Sequence, residues 1–113
     1  MSGLTTHVLD LALGKPARGV SIRLDRQTPA GEWARVDERV TDDDGRVKDF
    51  LAGAAVPTGR YLMTFATGAY FKARGEQSFH PEVPVMFEVT DSAQHFHVPL
   101  LLSAFGYSTY RGS

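Results

Sequence analysis

The chain has 113 residues, 42% hydrophobic and 22% charged, which is enough for one folded domain with a core and argues against disorder. Twelve basic and thirteen acidic residues give a formal net charge of −1 without a basic cluster, which argues against nucleic-acid binding. The absence of cysteine excludes disulfides, thiolate nucleophiles and cysteine-based zinc sites, and it fits a reducing compartment.

The sequence also lacks the usual signals of membrane insertion and secretion. No apolar stretch approaches the roughly 20 residues that a membrane helix needs. The N-terminal stretch MSGLTTHVLD has no charged region followed by an apolar one, so we expect no signal peptide. We therefore predict a single domain over residues 1–113, in a soluble cytoplasmic protein without membrane contact.

Alternating apolar and polar residues, separated by turn signals, predict strands along most of the chain. Val20, Ile22 and Leu24, for example, alternate with polar residues, as in a strand with one buried face. Residues 60–67 are apolar on both sides of the alternation, which places that strand centrally in a sheet. The predicted strands are 4–11, 20–25, 33–40, a short strand from 46, 60–67, 85–90, 95–103 and 106–110.

The segments between these strands predict connections and one helix. Residues 10–18, with Gly14 and Pro16, form a connection, and residues 28–31 form a hairpin turn. Residues 68–76 are the single predicted helix, with Gly75 as its natural end. Seven to eight short strands spaced about ten residues apart, with one helix, are typical of an all-β sandwich.

The acidic run at 41–45 predicts a turn. A calcium loop is excluded, because with Gly45 as its invariant glycine the first and twelfth positions would be Val40 and Leu51. Gly45 instead supplies a positive φ, from which Arg46 projects at a fixed position. The sequence leaves open whether Arg46 is a functional cation or a solvated charge.

Histidines are the main candidates for chemistry. His95 and His97 are two residues apart in a strand, so both can point to one face. His97 lies in the most apolar strand, which lowers its pKa and keeps the imidazole neutral, as a general base requires. Pro99 cannot donate to a ladder, so we expect an edge or a bulge there. His7 is either a structural histidine bonded to a backbone carbonyl or a second catalytic group.

Two other kinds of site fit the sequence less well. The pair His95 and His97 has metal-ligand spacing, but a third ligand would have to come from the distant His7 or His80, and we predict no metal. His80 lies in a loop and is expected to face solvent. The serines lack a G-x-S-x-G context, which argues against a serine hydrolase. The remaining chemistry is water activated by histidine, with arginine holding an anionic or carbonyl-rich substrate.

Four segments together resemble the transthyretin-like 5-hydroxyisourate hydrolase family over essentially the whole chain. They are LTTHVLD at 4–10, TDDDGR at 41–46, FHPEV at 79–83, and HVPLLLS with YSTYRGS within 97–113. The terminal YRGS is the most specific of these matches. It looks like the motif that distinguishes the hydrolases from true transthyretins, which are hormone carriers of the same fold. Ala104 replaces a proline often found there and His80 replaces an aromatic residue; we expect both to leave the chemistry intact.

The resemblance implies a fold, a reaction and an assembly. The implied fold is a transthyretin-like, eight-stranded β-sandwich with one short helix. The implied reaction opens the cyclic amide of 5-hydroxyisourate, the uricase product, to 2-oxo-4-hydroxy-4-carboxy-5-ureidoimidazoline in urate degradation, without a cofactor. The implied assembly is a homotetramer with its sites in a channel at the dimer–dimer interface.

The resemblance also implies residue roles. The catalytic residues match His7, Arg46 and His97, and those lining the substrate pocket match Tyr110, Arg111, Gly112 and Ser113. Which histidine is the base, and whether Ser113 acts through its hydroxyl or its carboxylate, stay open. The alternative function is a transthyretin-type carrier of a small ligand, which requires neither the site histidines nor the terminal tetrapeptide. A purely structural sandwich would leave these polar residues without a role.

Overall fold

The computed structural model describes residues 3–112, which form a sandwich of two β-sheets with one α-helix, as predicted. The helix, α1, covers Thr67–Ala73. No helix among the described residues combines the length and hydrophobicity needed to cross a membrane. The strands are β1 (Leu4–Asp10), β2 (Lys15–Pro16), β3 (Ser21–Gln27), β4 (Trp33–Val40), β5 (Arg46–Val47), β6 (Gly59–Phe65), β7 (Val83–Val89), β8 (Phe96–Leu102) and β9 (Tyr107–Thr109).

The differences from the predicted elements lie in the connections. The short strand β2 falls inside the segment predicted as a connection. Phe50–Gly53 forms a 3-10 turn in which Leu51 and Ala52 have φ values of 55° and 54°. Nothing in the sequence signals this turn, because non-glycine residues rarely adopt positive φ. Gly75 follows α1 with a φ of 72°, as expected for a helix end.

The two sheets differ in how their strands pair. One sheet has the order β4-β3-β6-β7 and is antiparallel, with β6 inside it as predicted. The other has the order β2-β1-β8-β9, and β5 pairs with β1 beside β2. β1 and β8 pair in parallel along their whole lengths. Among the described residues, this is the one parallel pair.

Side-chain alternation decides which face of the β1–β8 pair is buried. Leu4 and Val8 on β1, and Phe96 and Leu100 on β8, face the opposite sheet and are at most 4% exposed. The alternate positions point outward, and Thr5, His7 and His97 among them are half-buried. Because both strands alternate in step, their outward residues lie side by side on one face.

The expectation of an edge or a bulge at Pro99 is wrong. β8 lies between β1 and β9 and keeps an unbroken register with β1. The His97 carbonyl accepts a hydrogen bond from the Gly112 amide at 2.9 Å, and the Pro99 carbonyl accepts one from the Thr109 hydroxyl at 2.8 Å. The Pro99 nitrogen lies opposite the gap between the end of β9 and the Gly112 bridge. Within residues 96–112, the sheet has no ladder hydrogen bond there, so the lack of an amide hydrogen on proline disrupts nothing.

An ion pair between the buried Asp10 and the partly exposed Arg74 connects β1 to the end of α1. The Asp10 carboxylate is fully buried and accepts hydrogen bonds from Tyr70 at 2.8 Å, Arg74 at 2.7 Å and the amides of Ala12 and Leu13. Burial alone raises the pKa of Asp10, but the bonds from Tyr70, Leu13 and Arg74 outweigh it and lower the pKa below its usual value. The resulting stabilisation is present above the unfolded-state pKa of about 3.9 and is lost as pH falls through the lower folded-state pKa.

Replacing Asp10 tests this connection. Asp10→Asn should lower the free energy of unfolding by about 2–3 kcal/mol at neutral pH, because hydrogen bonds to a charged group are lost. Urea denaturation at fixed protomer concentration measures the loss, which should shrink at about pH 3. The control is Asp43→Asn, whose carboxylate is 82% exposed beside Arg18. Equal midpoints for the two variants would contradict a stabilising role of Asp10.

Candidate active site

The outward face of the sheet that contains β1, β5 and β8 brings together two of the candidate histidines and Arg46. His7 on β1 and Arg46 on β5 are direct register partners, so their side chains stand side by side on the same face. His97 on β8 pairs with Thr5 and is a diagonal neighbour of His7, which pairs with Pro99. All three site side chains are half-buried. We refer to His7, Arg46 and His97 as the outer-face cluster.

A tight turn holds Arg46 in this cluster. Asp42 Oδ1 accepts hydrogen bonds from the amides of Asp44 and Arg46, each at 2.9 Å. Gly45 has the predicted positive φ, 72°, and its carbonyl accepts from the Val8 amide at 2.7 Å. A Cβ at Gly45 would collide with the Val8 carbonyl oxygen. Glycine is therefore needed both for the turn and for its close packing on β1.

Burial and the charge of Arg46 keep both imidazoles of the cluster neutral. Burial is the largest cause that lowers the pKa of His7, and Arg46 adds to it, against a hydrogen bond to the backbone of Asp44. Burial also lowers the pKa of His97 most, followed by Arg46, His95 and His7. The lowered pKa of His97 agrees with its apolar strand. Both rings are therefore available as proton acceptors near pH 7.

The segment after β9, residues 110–112, which we call the tail, meets the cluster at Gly112. Besides the bond between its amide and the His97 carbonyl, Gly112 lies directly against the imidazole, and a Cβ there would be 2.5 Å from His97 Cδ2. The tail therefore borders the Cδ2 edge of the ring and leaves no room for a side chain. Ser113 lies outside the described residues.

The two residues before Gly112 lie beside the cluster. The Arg111 guanidinium is 4.4 Å from the centre of the Phe96 ring and donates to Gln94 Oε1 at 3.0 Å. Phe96 faces inward, so the Arg111 side chain turns away from the histidines in this chain. Tyr110 and Arg111 line a cavity of about 390 Å³ between β7 and the tail.

His95 joins the outward face as predicted. Its ring lies nearly parallel to that of His97, with an interplanar angle of 16° and centres 6.5 Å apart. The Thr5 hydroxyl lies between the two rings, 2.8 Å from His97 Nδ1 and 3.1 Å from His95 Nε2. Sequence reasoning missed Thr5, since only the β1–β8 register places it opposite His97.

His80 lies outside the cluster. Its ring is half-buried rather than solvent-facing, because it packs edge to face on Phe79 and Tyr107, with ring centres 4.9 and 5.1 Å away. Within residues 3–112, no three histidine, aspartate or glutamate side chains converge as a metal site requires.

Comparison with known proteins identifies the family. The model of the HIUase/Transthyretin family matches residues 4–112. The chain belongs to this family. It is 47% identical over 113 residues to the 5-hydroxyisourate hydrolase of Mus musculus, covering 99% of this chain and 96% of the mouse protein. Its structure is similar to that of Klebsiella pneumoniae 5-hydroxyisourate hydrolase, with a TM-score of 0.87 and 39% identity over 100% of this chain and 94% of the other.

The fold does not separate hydrolases from carriers within the family. Sea bream transthyretin, in complex with thyroxine, has a TM-score of 0.92 and 31% identity, covering 97% of this chain and 94% of the other. It is thus at least as similar in fold as the Klebsiella hydrolase but less similar in sequence. Within this family, the side chains of the site and not the fold distinguish a hydrolase from a carrier.

Gly45→Ala tests whether the turn positions Arg46. The matched control is Gly31→Ala, since Gly31 has a φ of 87° but no atom near its missing Cβ, and it reports the cost of positive φ alone, about 1–2 kcal/mol. We expect the free energy of unfolding to fall by about 1–3 kcal/mol more in Gly45→Ala than in the control, because the added methyl group clashes with the β1 backbone at Val8. Urea denaturation measures this difference. The NMR titrations of His7 and His97 should also move to higher pH as Arg46 is displaced. Equal stability losses with unchanged titrations would contradict this role.

Proposed function

We propose that this protein hydrolyses 5-hydroxyisourate to 2-oxo-4-hydroxy-4-carboxy-5-ureidoimidazoline in urate degradation. The main support is the outer-face cluster, which combines two neutral imidazoles with a guanidinium in a chain 47% identical to the mouse 5-hydroxyisourate hydrolase. The carboxyl and ureido groups of the product are those that water yields by cleaving a ring amide. Proton transfer and oxyanion stabilisation suffice for this reaction, so we propose no cofactor.

In the proposed mechanism, His97 is the general base. Its neutral ring takes one proton from a water molecule while the water oxygen bonds to the ring carbonyl carbon, giving a tetrahedral oxyanion. When the C–N bond breaks, the proton passes to the leaving ring nitrogen, which frees the carboxyl group and restores neutral His97. A positioned base contributes roughly 10²–10⁴ in rate. His7, also neutral, is proposed to share the proton transfer.

Arg46 is proposed to stabilise the oxyanion. A guanidinium stays charged at all working pH values, and a preorganised oxyanion contact contributes about 10²–10³ in rate. The same charge lowers the pKa of His7 and His97. In this proposal Arg46 therefore adds to the effect of burial in keeping the base neutral before the reaction, and it binds the negative charge that the reaction creates.

The terminal residues are proposed to line the substrate pocket. Gly112 already borders the His97 ring. Tyr110, 58% exposed, and Arg111 line a cavity that His97 also borders. Tyr110 offers an aromatic face to a carbonyl-rich heterocycle there, and Arg111 would offer a cation on leaving the Phe96 ring. Ser113 follows directly in the sequence, and we propose that it also contributes to this pocket.

We further propose a cytoplasmic homotetramer with its sites at the dimer–dimer interface. Because β1 and β8 are parallel, the segments that follow them leave the sheet at the same end. Large exposed apolar side chains lie there: Leu11 at 57%, Leu13 at 47% and Phe105 at 71% exposure. Such a patch favours a protein contact, here a second copy of the chain. The cysteine-free composition fits a reducing compartment.

A carrier of small ligands is the second candidate. It is favoured by the similarity in fold to the sea bream transthyretin that binds thyroxine. A carrier, however, needs neither a neutral base nor a cation beside it. The outer-face cluster therefore favours hydrolysis over carriage.

His97→Ala tests the reaction and the base together. Uricase first converts urate, and the ultraviolet decay of 5-hydroxyisourate is then followed with added protein. We expect the variant to lose at least about 100-fold of the accelerated rate, with unchanged circular dichroism and size-exclusion profile. His80→Ala, which removes a histidine outside the cluster, should keep its activity. Full activity of His97→Ala would exclude His97 as the base, and a wild-type protein that only binds thyroxine would favour the carrier.

Arg46→Gln should change the pH dependence as well as the rate. The base must be neutral, and its pKa lies below the ordinary 6.5, so wild-type kcat/KM should be flat near pH 7 and fall only at lower pH. Without the Arg46 charge, the pKa of His7 and His97 rises and the acid limb moves to higher pH. The plateau should also fall by about 10²–10³. Arg35→Gln, on an exposed part of β4, is the control. An unmoved acid limb would show that Arg46 does not act on the base.

A further inference from the structure

A threonine hydroxyl bridges the two histidines at the start of β8. Thr5 Oγ1 is within hydrogen-bonding distance of His97 Nδ1, at 2.8 Å, and of His95 Nε2, at 3.1 Å. The bridge follows from the register, because Thr5 and His97 are direct partners in the β1–β8 pair. All three side chains are half-buried, so these bonds compete less with water than surface bonds do.

We propose that Thr5 is a positioning residue that holds His97 as the tautomer with its proton on Nδ1, so that Nε2 is the atom that takes the proton from water. His95 accepts the hydroxyl hydrogen of Thr5 and thereby sets the direction of the bridge. This inference rests on the proposed function for its catalytic consequence, although the tautomer itself can be measured without substrate.

The direction of the bridge follows from a count of hydrogens. A threonine hydroxyl has one hydrogen to donate, so it cannot donate to both rings. If His97 Nδ1–H donates to Thr5 and Thr5 donates to His95 Nε2, the neutral His97 ring keeps a free lone pair on Nε2. In the reverse direction, His97 Nε2 would carry the proton and could not act as a base.

The catalytic cycle favours the first direction. Nδ1 of His97 is occupied by Thr5, so Nε2, beside the Cδ2 edge that borders Gly112, is the nitrogen left to reach a water. When Nε2 takes a proton, the ring becomes a cation whose two nitrogens both donate. In the first direction the bond from Nδ1–H to Thr5 is already made and persists. The reverse direction would require the hydroxyl to turn round during the reaction.

Loss of the hydroxyl should also change the pKa of His97 in a defined direction. The charged and titratable groups that face His97 are Arg46 from β5, His7 from β1 and His95 beside β8, and a Thr5 substitution leaves all of them in place. The bond to Thr5 stabilises the protonated ring, so its removal lowers the pKa further. The acid limb of kcat/KM should therefore move to lower pH, opposite to the shift expected for Arg46→Gln.

The test compares Thr5→Val, which removes the hydroxyl at nearly constant shape, with Thr5→Ser, which keeps it. Histidine ¹⁵N chemical shifts at neutral pH report which nitrogen of His97 carries the proton. We expect Nδ1–H in wild type and in Thr5→Ser, and mainly Nε2–H in Thr5→Val. In the uricase-coupled assay, kcat should fall by about 10²-fold or more in Thr5→Val, as for loss of a correctly positioned base, with little change in KM, and Thr5→Ser should restore it. Thr58→Val, in an exposed loop, is the control.

Either of two results would overturn the inference: Nε2–H on His97 in the wild-type protein, or wild-type kcat in Thr5→Val. The first does not depend on whether Thr5→Val folds. If the wild-type protein fails to accelerate the decay of 5-hydroxyisourate but shows Nδ1–H, and Thr5→Val loses it, the positioning role is supported and only the proposed function fails.

Discussion

The parallel pairing of β1 with β8 is the constraint on which the rest of the structure depends. Leu4, Val8, Phe96 and Leu100 point into the core from these two strands and are almost completely buried. Their burial fixes the register, because a slip by one residue would turn the inward side chains outward. The same register places Thr5 opposite His97 on the other face. The hydrophobic core and the polar site are therefore two consequences of one alignment.

Two glycines allow other segments to reach this pair of strands from opposite sides. Gly45 lets the turn before β5 pack on β1, which sets Arg46 beside His7. Gly112 lets the tail lie against the His97 ring on the other side. A side chain at either position would push a segment away from the face. The site thus depends on backbone approach as much as on its polar side chains.

Local patterns predicted the strands other than β2, the buried alternation and the positive φ at Gly45, because each depends on neighbouring residues alone. The role of Thr5 was missed, since its partners are 90 and 92 positions away and only the register brings them together. The expectation of an edge or a bulge at Pro99 failed because the sequence does not show which neighbour the proline nitrogen faces. In the structure it faces the gap between β9 and the Gly112 bridge, where no donor is needed. The sequence also could not show that Arg111 packs on Phe96. The positive φ of Leu51 could not be predicted either, because leucine rarely adopts this conformation.

The most direct measurement is the decay of uricase-generated 5-hydroxyisourate with and without the wild-type protein, followed by ultraviolet absorbance and circular dichroism on the same sample. In the proposed mechanism, a fixed base and a fixed cation present water to one face of the substrate ring, so we expect accelerated decay and a single enantiomer of the product. Decay at the spontaneous rate, with no circular dichroism signal from the product, would contradict a hydrolytic site on the outward face of the β1–β8 pair.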